Sequence, residues 1–397
     1  MIRPYAWGSR YGIATLQGRP VPAEDPEAEL WMGAHPSAPS GARGSTLDTV
    51  IAAAPERELG PDCLARFGPR LPFLLKVLSA DRALSIQVHP SRAQAAAGFR
   101  AENERGLAPD DPARNYVDDW PKPELLCALT PFEVLAGMRT PADAAGILRA
   151  LAVDELQPLA AGLERGTSDP GSVLESVLRR PEDGRKELVS QVVDACERLA
   201  SVDGRYAGTC TAALRVALDH PGDLGVVALL LMRHTVLEPG EAVFMPAGGL
   251  HAYLRGTGIE LLANSDNVVR AGLTGKHIDV PELLRLVDPS VAVPVLSPRV
   301  RPGGIACFDT PAAEFGLCLL ELSGPALALP GAGPRILLCL DGAALLRTQA
   351  GGQLELSRGD SCFVPFADGL VHATGHARLI QATPAPAPPH RLPGVVS

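Results

Sequence analysis

Three segments of this chain carry side chains whose types and spacing could serve one metal ion. In SIQVHP (85–90), Gln87 and His89 stand two apart in a segment of strand character, so both project to one face. Alone the pair is weak, because a histidine flanked by apolar residues is more often a hydrogen-bonded core residue. In WPKPELLCAL (120–129), Lys122 and Glu124 are again two apart, and Pro121 and Pro123 fix φ and remove two backbone donors. By itself this pair reads as solvated charges on an edge strand. The third segment is MPAGGLHAYLRGTGIELLANSDNVVRAGLTGK (245–276). A two-residue turn at Gly256-Thr257 would set Arg255 opposite Gly258 and Tyr253 opposite Glu260. His251, Tyr253, Glu260, Asn264, Asp266 and Arg270 would then share a face. So many polar groups among apolar neighbours are costly unless they serve a site. Together Gln87, His89, Glu124 and His251 offer two imidazoles, a carboxylate and an amide oxygen, a set that suits zinc and equally iron, manganese or cobalt.

The remaining histidines lack such company. His372 has no carboxylate or Gln-x-His partner nearby and reads as structural, and His220, His234, His376 and His390 belong to no constellation. No dinucleotide, Walker or Gly-x-Ser-x-Gly element is present.

The elements that must position these residues change period along the chain. Residues 141–220 show helical spacing, as in Ile147, Leu148, Leu151, then Val173, Leu174, Val177, Leu178, then Leu188, Val189, Val192, Val193. The flanks, 71–90, 224–272 and 334–366, are short apolar runs broken by Gly and Asp turns, as strands of barrels or sandwiches are. LEPGEAVFMPAGGLHAYLRG (237–256) and LSRGDSCFVPFADGLVHATG (356–375) repeat one design. The expectation is a mainly β chain. One β-domain spans 1–140 and 223–290, a helical insertion covers 141–222, and a second β-domain follows at 291–382. A Pro/Ala-rich tail (383–397) reads as extended.

Composition excludes several classes. The chain has 397 residues, 46% of them hydrophobic, enough to bury real cores. A formal charge of −9 without a basic stripe argues against nucleic acid. The longest apolar run, Leu224 to Met232, is roughly half the ~20 residues that span a bilayer, and the amino terminus has no leader pattern, so a cytoplasmic protein without a membrane partner is expected. Eight scattered cysteines without CxxC spacing are expected to be reduced.

PGEAVFMPAGGLHAY (239–253) resembles the second half-motif of cupin barrels, and a wider resemblance follows from the blocks around the candidate ligands. YAWG (5–8), ELWMGAHPSAPS (29–40), PFLLKVLSA (72–80), LSIQVHPSRAQA (84–95), KPELLCALTPFEVLAGMR (122–139) and IELLANSDNVVRAGLTGKHIDVPELL (259–284) occur in order. They resemble the type I phosphomannose isomerases, zinc-dependent cupins. The resemblance implies two cupin-like β-barrel or jelly-roll domains, the second degenerate, around the helical insertion. It implies one Zn²⁺ per chain on Gln87, His89, Glu124 and His251 and a catalytic arginine at Arg270. Site-lining positions fall on Trp7, His35, Ser85, Lys122, Tyr253, Glu260, Asp266 and Lys276. Two departures stand out: Pro121 replaces a histidine common in the family, and Thr274-Gly275-Lys276 replaces Thr-Pro-Lys.

The activity so implied interconverts mannose 6-phosphate and fructose 6-phosphate through an enediolate, within carbohydrate metabolism such as GDP-mannose biosynthesis. Such a site needs a Lewis acid and a cation beside the oxyanion, for which Arg270 is suited, and an acid/base chosen from Glu260, Asp266 and Lys122. Lys276, Arg270 and Ser85 are the candidate phosphate donors. The partner is then a small sugar phosphate, and a monomer or weak homo-oligomer is expected. The alternatives are a metal-dependent cupin oxygenase and a non-catalytic sugar-binding cupin.

Overall fold

The computed structural model describes residues 1–386; the remainder of the Pro/Ala tail lies outside the described residues. Two antiparallel β systems dominate, one of eleven strands and one of seven. In the first, β1 (Glu29–Met32), β2 (Phe73–Ala80), β3 (His251–Ala263) and β4 (Glu124–Ala128) lie side by side in that order. Their residues are mostly apolar and almost all buried, as strands covered on both faces require. One face, with Leu125, Cys127, Ile259 and Leu261, packs against Phe315, Ile336, Leu338 and Ile380 of the second system. The other face looks into the first barrel and carries the polar residues.

Strand β3 corrects the sequence reading. No hairpin turn forms at Gly256-Thr257, and His251–Ala263 is one continuous strand. Its first part pairs with Gln87 and with the strand Phe132–Met138, its second part with β2 and β4. An irregularity between Tyr253 and Arg255 inserts one extra residue. Gly256 follows at φ 135°, where a Cβ would stand 2.7 Å from the Phe132 ring. The bulge changes the parity: His251 and Tyr253 face inward before it, Glu260 after it. The expected face-sharing arises from this kink and not from a turn. β4 is likewise no edge strand, since it lies between β3 and the strand Ala242–Met245.

Between Pro141 and Asp219 the chain forms five α-helices. Their starts are encoded locally: Thr140 Oγ1 accepts the Asp143 N–H at 3.2 Å and Asp169 Oδ1 the Ser172 N–H at 2.9 Å, each with proline at the first helical position. Ile147, Leu148, Leu151, Val173, Leu174, Val177, Leu188, Val189 and Val192 are buried in one core that also takes Leu250, just before β3, and Ala252 and Leu254, outward residues of its first part. The helical unit is therefore clamped to the back of the strand that bears His251. Among the described residues no helix is long and apolar enough to cross a membrane.

The expectation of wholly reduced cysteines fails at one place. Cys307 and Cys318 form a disulfide, because strands Ile305–Cys307 and Gly316–Ala328 pair with these two residues directly opposite. The other six are free. The tail also begins later than expected: Thr383 ends the strand Val371–Thr383, and Arg66 Nη1 donates to the Ala385 carbonyl at 2.6 Å.

Candidate metal centre and cleft

Glu124 begins β4 and is flanked in register by Met245 and Leu262, and its carboxylate points into the barrel toward His251. Its Oε1 lies 3.1 Å from His89 Nε2 and accepts from Lys122 Nζ at 2.6 Å. Its Oε2 lies 3.4 Å from His251 Nε2 and 3.4 Å from the Tyr253 hydroxyl. All five groups are buried. Burial pushes the Glu124 carboxyl up, but Lys122 and His89 outweigh it and hold it well below the carboxylate range. Burial lowers His89 to about 4 against the pull of Glu124, so this imidazole is neutral at pH 7.

The tautomers follow from the outer contacts. His89 Nδ1 stands 2.9 Å from the Asn267 carbonyl and His251 Nδ1 3.1 Å from that of Gly249. A carbonyl only accepts, so both Nδ1 atoms carry the proton and both Nε2 atoms present lone pairs to the carboxylate. His89 Nε2 accordingly has no hydrogen-bond partner among the described residues. Lone pairs facing a carboxylate at these distances repel unless a cation lies among them, and the three donor atoms lie within 4.8 Å of one another. Gln87 is directly opposite His251 on one side and Arg270 on the other. Its amide nitrogen donates to Ser85 Oγ at 3.1 Å, which leaves the amide oxygen for the same centre. The set fits a metal with N/O preference.

Beside the centre lies a cleft of about 390 Å³ walled by Trp7, Ser85, Gln87, Asp266, Arg270 and Lys276. Its floor is a buried charge row. Lys76 Nζ is 3.0 Å from Glu260 Oε2, 3.7 Å from Glu29 Oε1 and 4.8 Å from the centre of the Trp31 ring. Trp31 Nε1 in turn donates to Glu29 at 2.6 Å. Burial raises the Glu260 carboxyl, with Lys76 opposing. Although burial works against it, Lys76 is raised overall by Glu260 and Glu29. At the mouth, Arg270 is lowered by burial and Lys276 by burial and by Arg270. Neither has a carboxylate within ion-pair distance among the described residues, so two like charges face the same space. Leu273, between them, takes a left-handed φ of 59° held by Asp223, which accepts its N–H at 2.9 Å.

Known proteins match this chain along most of its length. A family model for the type I phosphomannose isomerase catalytic domain matches residues 1–141, and one for the mannose-6-phosphate isomerase cupin domain matches 306–384. Mannose-6-phosphate isomerase of Escherichia coli (strain K12) is 35% identical, covering 95% of this chain and 96% of its own length. This chain belongs to the mannose-6-phosphate isomerase family. An Arabidopsis thaliana member, mannose-6-phosphate isomerase 1, is 33% identical over 95% of the chain and 90% of its own length. A crystal structure of mannose 6-phosphate isomerase bound with zinc and yttrium superposes with TM-score 0.85, 34% identity and coverage of 96% and 97%. The apo form from Salmonella typhimurium gives 0.85 with the same coverage.

Of the residues singled out in this isomerase, His89, Glu124 and His251 come together with Lys122 and Tyr253 upon Glu124, while Gln87, Trp7, Ser85, Asp266, Arg270 and Lys276 line the cleft. Glu260 reaches it through Lys76. His35 stands back, 4% exposed, with Nε2 at 3.3 Å from Asp266 Oδ1, and it holds that carboxylate below its usual range against burial. Asn264 points aside, toward the Leu71 carbonyl. His234 pairs with Glu133 at 2.7 Å, away from the centre. Glu29 and Lys76 escaped the sequence reading, although a lysine inside an otherwise apolar run of eight was the available signal.

Proposed function

We propose that this chain interconverts D-mannose 6-phosphate and D-fructose 6-phosphate by moving a proton between C2 and C1 through an enediolate, with one Zn²⁺ held by Gln87, His89, Glu124 and His251. What carries the reading is a metal-competent centre beside two cations that lack counterions in one cleft. When bound, the metal supplies a Lewis acid for oxygen at the reacting carbons. Lys122, bonded to Glu124 at 2.6 Å, positions that carboxylate. Lys276, with Ser85, binds the dianionic 6-phosphate. Arg270 adjoins Gln87 in register and so sits closer to the metal, where it stabilises the enediolate's negative charge in place of binding the phosphate. Glu260 meets the cleft through Lys76 at 3.0 Å, and together they form the acid/base pair by which a proton passes between the two carbons. Asp266, lowered and half-exposed, accepts substrate hydroxyls. Trp7 and Tyr253 shape the cleft wall and the Glu124 environment. Six of the eight cysteines are free, which favours a reducing cytoplasm, while the Cys307–Cys318 bridge weighs the other way.

The test is anaerobic turnover of mannose 6-phosphate, expected to be abolished by chelation and restored by zinc; a requirement for dioxygen would instead indicate an oxygenase. His251→Ala should lose both bound zinc and activity. Full zinc stoichiometry in that variant would overturn the ligand assignment.

A further inference from the structure

One buried side chain outside the ligand set ties the three ligand-bearing segments together. Asn267 is fully buried, in the short connection between the end of β3 at Ala263 and the strand Val269–Gly272 that carries Arg270. Its Oδ1 accepts the N–H of Val117 at 2.8 Å and that of Asp118 at 3.2 Å. Its Nδ2 donates to the carbonyls of Asp118 and Trp120, each at 2.8 Å, and to Asp118 Oδ1 at 3.2 Å. Every donor and acceptor of the carboxamide is thus used, and all on the segment 117–120 that leads into Lys122 and Glu124. A carboxamide faces N–H groups with one end and carbonyls with the other. A carboxylate there would set an oxygen against the carbonyls, and a hydroxyl has one donor for the two of them.

The main chain of the same residue serves the metal centre. Val269 lies opposite Val88 and Arg270 opposite Gln87, so the chain just before Val269 runs beside His89. There the Asn267 carbonyl accepts from His89 Nδ1 at 2.9 Å, which fixes the ring's tautomer and orientation and so the direction of the Nε2 lone pair. The neighbouring residues strengthen the junction. Ser265 Oγ donates to Asp118 Oδ1 at 2.8 Å and accepts the Asn267 N–H at 3.2 Å, while the Asp266 N–H donates to Asp118 Oδ2 at 3.0 Å. His89, the cleft carboxylate Asp266 and the approach to Glu124 are therefore held at one joint.

We propose that Asn267 is a positioning residue of the metal centre, acting through its own carbonyl on His89 and through the segment 117–120 on Glu124. The inference rests on the zinc reading above and gives a role to a side chain that bonds to none of the four ligands. By fixing the separation of two ligand segments, Asn267 keeps His89 Nε2 and Glu124 Oε1, 3.1 Å apart, aimed at one point, as a preorganised site requires.

The experiment compares the full-length wild type with Asn267→Ala. Zinc affinity is measured by chelator competition, the visible spectrum is recorded on the cobalt-substituted proteins, and both are taken well below the unfolding midpoint of the metal-stripped protein. A lower midpoint is expected of any buried asparagine, so the zinc affinity and the spectrum decide. Asn267→Ala should bind zinc roughly ten- to a hundredfold more weakly, and its cobalt spectrum should shift as the imidazole turns. Wild-type zinc affinity or an unchanged cobalt spectrum in this variant overturns the proposal. Should Asn267→Ala fail to fold, Asp118→Asn takes its place: it keeps the shape but sets an amide NH2 against the Asp266 N–H, and unchanged affinity or spectrum there overturns the proposal equally. A wild type that binds no zinc would overturn the metal centre itself, so the two failures are told apart by the unmutated protein.

Discussion

Replacing Lys76 by Met tests whether the charge row under the cleft is held together as described. Methionine keeps the volume but removes the cation that stands 3.0 Å from Glu260 and 3.7 Å from Glu29, both buried. Breaking a buried pair by removing one partner costs about 3–5 kcal/mol, since the remaining charge is left uncompensated. Loss of the contact with the Trp31 face adds up to about 1 kcal/mol. The pH dependence makes the test sharper. In the wild type the Lys76 pKa is raised, so its contribution is complete below the unfolded lysine value of about 10.4 and is lost only as pH rises through the folded one. In the variant, Glu260, already raised by burial, is raised further once Lys76 is gone. A carboxyl with a raised folded pKa stabilises below its unfolded value, about 4.3, and that stability is lost as pH rises. The penalty should therefore grow between about pH 5.5 and about pH 8. Urea unfolding of wild type and variant at both pH values measures it. A penalty under about 1 kcal/mol, or one equal at both pH values, would refute the charge-row reasoning.

Arg270→Ala and Lys276→Ala should separate their roles. Loss of one charge-assisted contact, about 1.5–3 kcal/mol, should raise KM roughly ten- to a hundredfold in Lys276→Ala, while Arg270→Ala should instead lower kcat. No change in either constant in both variants would place the phosphate elsewhere. In enzyme stripped of metal, His89 binds its proton only near pH 4 when folded, whereas the unfolded chain does so near 6.5. Stability should thus fall by about 3 kcal/mol as pH drops from about 6.5 to 4, and His89→Gln, which carries no titrating imidazole, should flatten that slope in denaturant titrations. Cys307→Ser opens a loop whose ends are 11 residues apart and should destabilise the second β-domain by about 2–3 kcal/mol, seen as a lower denaturation midpoint that reductant reproduces in the wild type.

Much of the metal centre was legible because its information is local: Gln87 and His89 share a face on a two-residue period, and Glu124 and His251 each stand out as a polar residue in an apolar run. Glu29 and Lys76 were less so, since each is a single charge in an apolar strand and acquires meaning only when β1, β2 and β3 come into register. Gly256-Thr257 reads as a turn in sequence, yet partner strands on both sides keep the chain extended and convert the glycine's freedom into a kink. The Cys307–Cys318 bridge depends on the pairing of two strands whose register no spacing motif announces. Arg335, 1% exposed at the start of the strand Arg335–Thr348, showed no signal at all, because an arginine beginning a strand is ordinarily solvated and only the closure of the second β system buries it.

The kink in β3 has a bearing on how this protein can vary in length. His251 and Glu260 are read off one continuous strand, on opposite sides of a single surplus residue. Were this strand to run straight at its full length, alternation from His251 would turn Ile259 and Leu261 toward the cleft, with Glu260 against the apolar layer shared with the second β system. Removing one residue between Tyr253 and Gly258 together with the kink would instead leave His251 and Glu260 on one face. The surplus residue and the kink are thus a matched pair, and a relative that lacks one must lack the other.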